Sequence, residues 1–390
     1  MPNSNKLIYI SQGNIPCKWT HSIQMMLTAE AFGQTVKNFC LLTRGRIQDI
    51  THSSQYIFDY YGIRHPFPIV RLPLTARWSE EGGWKTRYPA FMKLSVLYAR
   101  LHRQAVVYTR HSAIARMTCG LGMRTILECH AGIEEGFGDQ ALLKDHPKFL
   151  GFVLNSKTVR DQYFNEGVQP EKLLVETNGV NLEFFDVKEE KTILRRRLGL
   201  PVPNTIALYS GHLFPFKGAD LIMECAQLLP DVQFILMGGA DEDVRKYRKY
   251  AAEELPNVHV LGFIPHAEIA QYLAAADLFL LPNLSSTPIS NRTPLKIFEY
   301  CAAKRPIIAS DIEQFREFLK PDKTAFLFKA DDLNSFKTAI ERAIDLPEMN
   351  KTVTENAYEM AKEHSWLKRA GSIISRYAPE LLKEKGAAHE

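Results

Sequence analysis

The run Thr293-Pro294-Leu295-Lys296-Ile297-Phe298-Glu299-Tyr300-Cys301-Ala302-Ala303-Lys304-Arg305-Pro306-Ile307-Ile308-Ala309-Ser310 combines the residue types of an anion-binding helix start, a carboxylate one turn further on and a buried strand. Thr293 can cap the helix by accepting from an amide of its first turn, and Pro294 suits the first helical position. The free amides that follow, together with the positive end of the helix dipole, favour a phosphate in front of them, and Lys296 adds charge nearby. Glu299 lies roughly 7 to 8 Å beyond Pro294 along a helix that rises about 1.5 Å per residue, about the separation of a pyrophosphate from the ribose of the same nucleotide. A carboxylate there could accept both ribose hydroxyls. The plainer alternative is a capped surface helix with an exposed Glu.

Other loops offer similar chemistry. Tyr209-Ser210-Gly211-His212-Leu213-Phe214-Pro215-Phe216-Lys217-Gly218 runs from a strand end to a helix start, where the Lys217 ammonium could neutralise a phosphate and His212 could donate. Ser11-Gln12-Gly13-Asn14-Ile15-Pro16 follows the first strand, and Gly13 permits close backbone approach at a helix entrance. Ile126-Leu127-Glu128-Cys129-His130 ends another strand with a histidine at its carboxyl tip. Asn178-Gly179-Val180-Asn181 reads as a turn. Neither G-x-G-x-x-G nor G-x-x-x-x-G-K-[ST] occurs, which argues against a standard dinucleotide fingerprint and a P-loop. The Asp241-Glu242-Asp243 triplet could ligate a metal in principle, but it follows Gly238-Gly239 at a predicted helix start, where acidic residues complement the dipole.

These loops need a scaffold. Short apolar runs alternate with helical stretches along nearly the whole chain, which predicts βαβ units and parallel sheets in an α/β fold. Strands are expected near 7–11, 36–42, 69–72, 105–109, 125–129, 151–155 and 173–176, then near 205–210, 232–237, 258–261, 278–281, 306–309 and 325–328. At 390 residues the chain is long enough for two domains. The expected division is an N-terminal domain over 1–185, a charged and proline-bearing linker over 186–204, a second domain over 205–365, and a C-terminal helix over 366–390 that returns to the first domain. Ligands of such sheets bind beyond the carboxyl ends of the strands, so two domains of this kind facing each other would share a cleft.

Composition narrows the class. With 45% hydrophobic and 24% charged residues the chain reads as soluble and globular. Its apolar runs are strand-length, and its start carries no signal-peptide pattern. Six scattered cysteines (17, 40, 119, 129, 225 and 301) suggest neither zinc nor a disulfide framework, so a reducing cytosol is the expected location. Residues 1–185 hold 21 Lys+Arg against 15 Asp+Glu, an excess of +6. Arg71, Arg77, Lys85, Arg87, Lys93, Arg100, Arg103, Arg110, Arg116 and Arg124 make up much of it, interleaved with Trp78, Trp84, Tyr88, Phe91 and Tyr98. Such a belt could meet an anionic membrane face or a phosphorylated acceptor; the alternative is a solvated helix face. No nucleic-acid partner is expected.

Taken in order, the Gly13 loop, His130, Asn178-Gly179-Val180-Asn181, Gly211-His212-Leu213 with Lys217-Gly218, Leu261-Gly262-Phe263-Ile264-Pro265, Ala276-Asp277-Leu278-Phe279-Leu280-Leu281-Pro282 and Glu299-Tyr300-Cys301-Ala302-Ala303 with Arg305-Pro306 resemble the retaining glycosyltransferases of family 4. That family has the GT-B fold of two facing Rossmann-like domains. The resemblance implies transfer of a sugar from a UDP- or GDP-linked donor to an acceptor hydroxyl with retention, without a metal or other cofactor. A glycan or lipid-linked acceptor would fit polysaccharide or lipopolysaccharide assembly at the inner membrane face. Lys217 would hold the donor diphosphate, Glu299 the ribose, and the backbone around Phe263 and Ile264 the base. Gly13 would face the phosphates from the other domain, and His130 would lie near the sugar and acceptor.

The chain departs from the family pattern in three places. The family carries two glutamates eight positions apart, but Asn291 stands eight before Glu299; its amide can both donate and accept, so it is retained as a catalytic candidate beside Lys217 and His130. The glycine-rich segment that normally follows is replaced by Arg292-Thr293-Pro294-Leu295-Lys296, all five of them donor-binding candidates. The arginine usual after Gly211 is His212, which shifts phosphate binding toward Lys217, Lys296 and Arg292. Two other functions suit the same scaffold: a sugar-nucleotide epimerase or hydrolase, and a non-catalytic nucleotide-sugar-binding protein.

Overall fold

The computed structural model describes residues 5–45, 52–73, 89–102, 104–130, 132–133, 137–287 and 295–384. The chain divides into two compact units, Met1–Asn178 with Trp366–Glu390, and Gly179–Ser365. Each is a Rossmann-like α/β unit around one parallel sheet, the fold class expected from the alternation of apolar runs and helices.

In the first unit the strands are β1 (Leu7–Asn14), β2 (Phe39–Gly45), β3 (Ile69–Pro73), β4 (Val106–Thr109), β5 (Arg124–Cys129), β6 (Phe149–Leu154) and β7 (Leu173–Val175). Their order across the sheet is β3-β2-β1-β4-β5-β6-β7, with every pair parallel. Leu7, Ile8, Tyr9 and Ile10, like Val106, Val107 and Tyr108, are wholly buried. Strands covered by helices on both faces have no polar side to alternate with, so they read as continuous apolar runs. The winding reverses between β1 and β4, which opens a crevice at their carboxyl ends. The helix Trp366–Tyr377 packs against the helix Thr20–Thr35 that follows β1. Tyr377 donates from its hydroxyl to the carbonyls of Phe152 (3.0 Å) and Lys172 (3.1 Å). Its ring fills the space a Cβ on Gly151 would need, so only glycine fits there.

The second unit contains β8 (Thr205–Ser210), β9 (Val232–Met237), β10 (Val258–Gly262), β11 (Leu278–Leu281), β12 (Ile307–Ser310) and β13 (Phe326–Phe328), ordered β10-β9-β8-β11-β12-β13 and all parallel. Here the reversal falls between β8 and β11. The opposite, amino-terminal edge is pinned by charge. Asp277, just before β11, accepts from the Ile206 amide at 2.7 Å and pairs with Arg195 and Lys191, each at 2.5 Å. Arg305, just before β12, donates to the carbonyls of Ala276 (2.9 Å) and Ala274 (3.0 Å). The Ala276-Asp277 and Arg305-Pro306 motifs therefore hold the sheet together at the end away from the crevice.

The stretch 186–204, expected as a linker, includes the helix Lys191–Arg197 and is part of the second unit, whose boundary lies between Asn178 and Gly179 rather than at 185. Leu194 is fully buried, and Arg195, 4% exposed, spends its guanidinium on three carbonyls and Asp277. A charged run reads as solvated in sequence, whereas this arginine finds buried oxygen acceptors. Asp241, Glu242 and Asp243 occupy the first turn of the helix Asp241–Glu254, as their position after Gly238-Gly239 predicts.

Candidate active site

The loop after β8 and the helix after β11 meet at the crevice of the second unit. Gly211 follows β8 with φ 154°, and the ammonium of Lys296 occupies the space its Cβ would need. That ammonium also sits 4.6 Å from the ring centroid of Tyr209. Burial pushes the Lys296 ammonium down to about 7, helped by the charge of Lys217 and opposed by Glu299. Burial also holds Lys217 below the ordinary lysine value. Neither lysine makes an ion pair among the described residues. Two lysines whose charges act on each other, with Glu299 the carboxylate that acts on Lys296, suit a site for an anion, since a bound dianion would add the compensation that burial withholds.

Glu299 lies one turn beyond Lys296 in the helix Leu295–Ala302 and is 7% exposed. One of its oxygens is 3.4 Å from Nε2 of His266, whose ring stacks on Phe184 at 5.2 Å. The carboxylate accepts no hydrogen bond among the described residues. A buried carboxylate without donors is costly, so its free lone pairs are suited to ligand hydroxyls.

The surrounding scaffold fixes these groups. Tyr209 donates to the His212 carbonyl at 2.6 Å, and the Ser210 amide donates to the hydroxyl of Tyr300 at 2.8 Å, which ties β8 to the helix carrying Lys296 and Glu299. The short 3₁₀ turn Pro215–Lys217 is held by its Phe216 carbonyl, which accepts from the Leu284 amide (3.0 Å) and the Thr287 hydroxyl (2.9 Å). Gly218, at φ 78°, has no room for a side chain because the Pro282 carbonyl fills the space. Next to Gly211, the amide of Gly238 donates to the Gly262 carbonyl at 2.6 Å, and the Gly211 amide donates to Met237 at 2.8 Å. These bonds join the ends of β8, β9 and β10 and set the start of the Phe263-Ile264 segment. Phe263 is 39% exposed, while Ile264 packs against the core.

In the first unit, a polar network lines the carboxyl ends of β4 and β5. His130 follows β5 and places Nε2 at 2.5 Å from Oε1 of Glu128. Glu128, 5% exposed, also accepts from Arg369 at 2.8 Å and from the Tyr108 hydroxyl at 2.5 Å. Burial would raise the Glu128 carboxyl, but Arg369 and His130 outweigh it and hold it well below the usual range. Burial, together with the charge of Arg110, pushes His130 down to about 4 despite Glu128. Arg110 follows β4 and reaches Gln24 at 3.4 Å, and Gln24 donates to Asn178 at 3.2 Å. Gly13 lies at a register shift near the end of β1; its carbonyl accepts from Thr43 at 2.5 Å, and its α-carbon faces Met25.

Of the candidate residues, Gly211, Lys217, Lys296 and Glu299 come together, with His212 in the same loop, stacked on Phe214 at 4.9 Å. Leu295 is the first described residue of its helix and is buried. Asn291, Arg292, Thr293 and Pro294 lie outside the described residues. Gly13 and His130 belong to the first unit. The sequence reading assigned no part to Tyr209, Tyr300, His266 and Thr287, or to Glu128, Arg369, Tyr108 and Gln24, and it placed Arg110 only in the basic belt. One signal was available: Glu128 is a carboxylate inside an apolar strand, which must find a buried partner.

Residues 190–360 match the family described as glycosyl transferases group 1. The chain is 24% identical over 248 residues to the D-inositol 3-phosphate glycosyltransferase of Corynebacterium glutamicum (strain R), covering 60% of this chain and 57% of that protein. It is 24% identical over 212 residues to the processive diacylglycerol alpha-glucosyltransferase of Acholeplasma laidlawii, covering 54% of this chain and 61% of that protein. The chain thus spans about three fifths of the length of these curated relatives. The solved structure of HepE from Anabaena in complex with UDP and glucose has the same fold, with a TM-score of 0.71 at 16% identity over 97% of this chain and 100% of that one.

Proposed function

We propose that this protein transfers a sugar from a nucleoside diphosphate donor to an acceptor hydroxyl, with retention at the anomeric carbon. The observation that carries this reading is the pairing of Lys217 with Lys296, neither in an ion pair among the described residues, with the Glu299 carboxylate one helical turn beyond Lys296. Lys217 and Lys296 take the diphosphate and stabilise the negative charge that grows on it as the glycosidic bond breaks. Glu299 accepts the ribose hydroxyls, and the backbone at Phe263 and Ile264 borders the base. The match to glycosyl transferases group 1 and the UDP-bound structure of similar fold support the same donor class. A thermal-shift screen of UDP, GDP and ADP, followed by transfer assays with the matching nucleotide sugars, tests it. A chain that none of these diphosphates stabilises would contradict the donor assignment.

The acceptor side of this proposal is a lipid-linked or anionic substrate at a membrane surface, with the chain as a peripheral protein on the cytoplasmic face. The helix Pro89–Arg100 and the turn after it support it: Leu94 and Leu97 in the helix and Leu101 just beyond are 44%, 58% and 71% exposed, beside Lys93 and Arg100. An apolar stripe between basic residues suits the interface of an anionic bilayer. Among the described residues, no helix is long and apolar enough to cross a membrane.

A further inference from the structure

Glu128 accepts three hydrogen bonds inside the first unit. His130 and Arg369 share Oε1 at 2.5 and 2.8 Å, and Tyr108 takes Oε2 at 2.5 Å. Arg369 is itself anchored through Nε to the Thr177 carbonyl at 2.9 Å. An ionised carboxylate only accepts, so the imidazole must carry its proton on Nε2, which leaves a lone pair on Nδ1. Nδ1 makes no hydrogen bond among the described residues, and the His130 side chain keeps 9% of its surface open. The His130 carbonyl, held by Asn155 at 3.4 Å, fixes the backbone beneath it.

We propose that Glu128, clamped by Arg369 and Tyr108, is a positioning residue that locks His130 as the Nε2–H tautomer, so that Nδ1 accepts a hydrogen bond from a hydroxyl of a bound sugar substrate. The charged groups facing the ring are Glu128, Arg369 and Arg110. Burial and Arg110 oppose a second proton on the ring, which keeps the imidazole neutral well below its ordinary range. A neutral ring serves here as an oriented acceptor and not as an acid. The naming of a sugar hydroxyl rests on the glycosyl-transfer reading; the tautomer does not.

The test begins with the wild-type chain labelled with ¹⁵N-histidine. Long-range ¹H–¹⁵N spectra between pH 6 and 8, with the His130 signals assigned by their loss in His130→Gln, should show an unprotonated Nδ1 and a protonated Nε2. A proton on Nδ1, or on both nitrogens at pH 7, would overturn the proposal without any variant having to fold. Glu128→Gln can donate its amide to Nε2, so it should bring in the Nδ1–H form and lower kcat by about tenfold, the scale of one lost hydrogen bond, with KM for the nucleotide sugar nearly unchanged. Because this variant leaves the Arg369 guanidinium buried without its carboxylate, Glu128→Gln/Arg369→Met is measured beside it. A kcat loss with the tautomer unchanged, or a tautomer change with kcat intact, rejects the positioning role. A wild-type chain with the expected tautomer but no transfer from any UDP- or GDP-sugar would reject the proposed reaction and leave the tautomer assignment standing.

Discussion

Replacing Lys296 with methionine should stabilise the empty protein while weakening its hold on nucleotides. The side chain is of similar length, and its thioether removes the ammonium enclosed by Gly211 and the Tyr209 ring. Lys296 falls from 10.5 to about 7 on folding, and at about 1.4 kcal/mol per unit this is a destabilisation of up to about 5 kcal/mol. Partial exposure and water entry reduce the realised effect to about 2 kcal/mol, or about 4 to 8 °C in Tm for a unit of this size. Because the folded value lies below the unfolded one, the unfolded chain binds the extra proton between pH 7 and 10.5, so the penalty is complete below pH 7 and fades as pH rises through that window. Differential scanning fluorimetry of wild type and Lys296→Met at pH 6.5, 8 and 9.5 should show the variant melting higher by an amount that shrinks with pH. In the same assay, the stabilisation by UDP or GDP should be smaller for the variant. A variant that melts lower at every pH, or an advantage that does not change with pH, would refute the idea that an uncompensated ammonium is held there for an anion.

Three further outcomes are expected. Lys217→Ala should lower kcat by about 100-fold or more, by analogy with other lost electrostatic donors; a steady-state rate near wild type would remove its leaving-group role. Glu299→Gln should weaken nucleotide binding by about tenfold, on the scale of about 1.4 kcal/mol for a hydrogen bond to a charged group, and unchanged affinity in calorimetry would contradict the ribose contact. Leu97→Glu/Leu101→Glu should abolish flotation with anionic liposomes and leave transfer to a soluble acceptor intact, whereas unchanged flotation would move the membrane contact elsewhere.

That Lys296, Glu299 and the Gly211 loop share one strand-end region was legible in sequence because that geometry is local. A lysine and a glutamate three apart on a helix share one face whatever surrounds them, and a glycine-bearing loop after a strand must lie at a carboxyl edge. The strand pattern was equally direct, since covered strands such as residues 7–10 and Leu278–Leu281 read as apolar runs. Arg369 was hidden: it reaches Glu128 across 241 residues of sequence, and nothing in Trp366–Tyr377 marks that arginine as buried. The junctions among Gly211, Gly238 and Gly262 were hidden for a related reason, because backbone hydrogen bonds between strand ends leave no side-chain signature. Residues 186–204 misled through composition, which reports charge but not the carbonyls that Arg195 finds.

The path of the chain imposes a timetable on its assembly. The second unit is one unbroken span, Gly179–Ser365, so its strands are all synthesised before the helix Trp366–Tyr377. The first unit begins earlier yet finishes later: until Trp366–Tyr377 emerges, Glu128 lacks its guanidinium and the helix Thr20–Thr35 lacks its cover. Synthesis from the amino end therefore makes the whole second unit before Trp366–Tyr377 brings Arg369 to the His130 network.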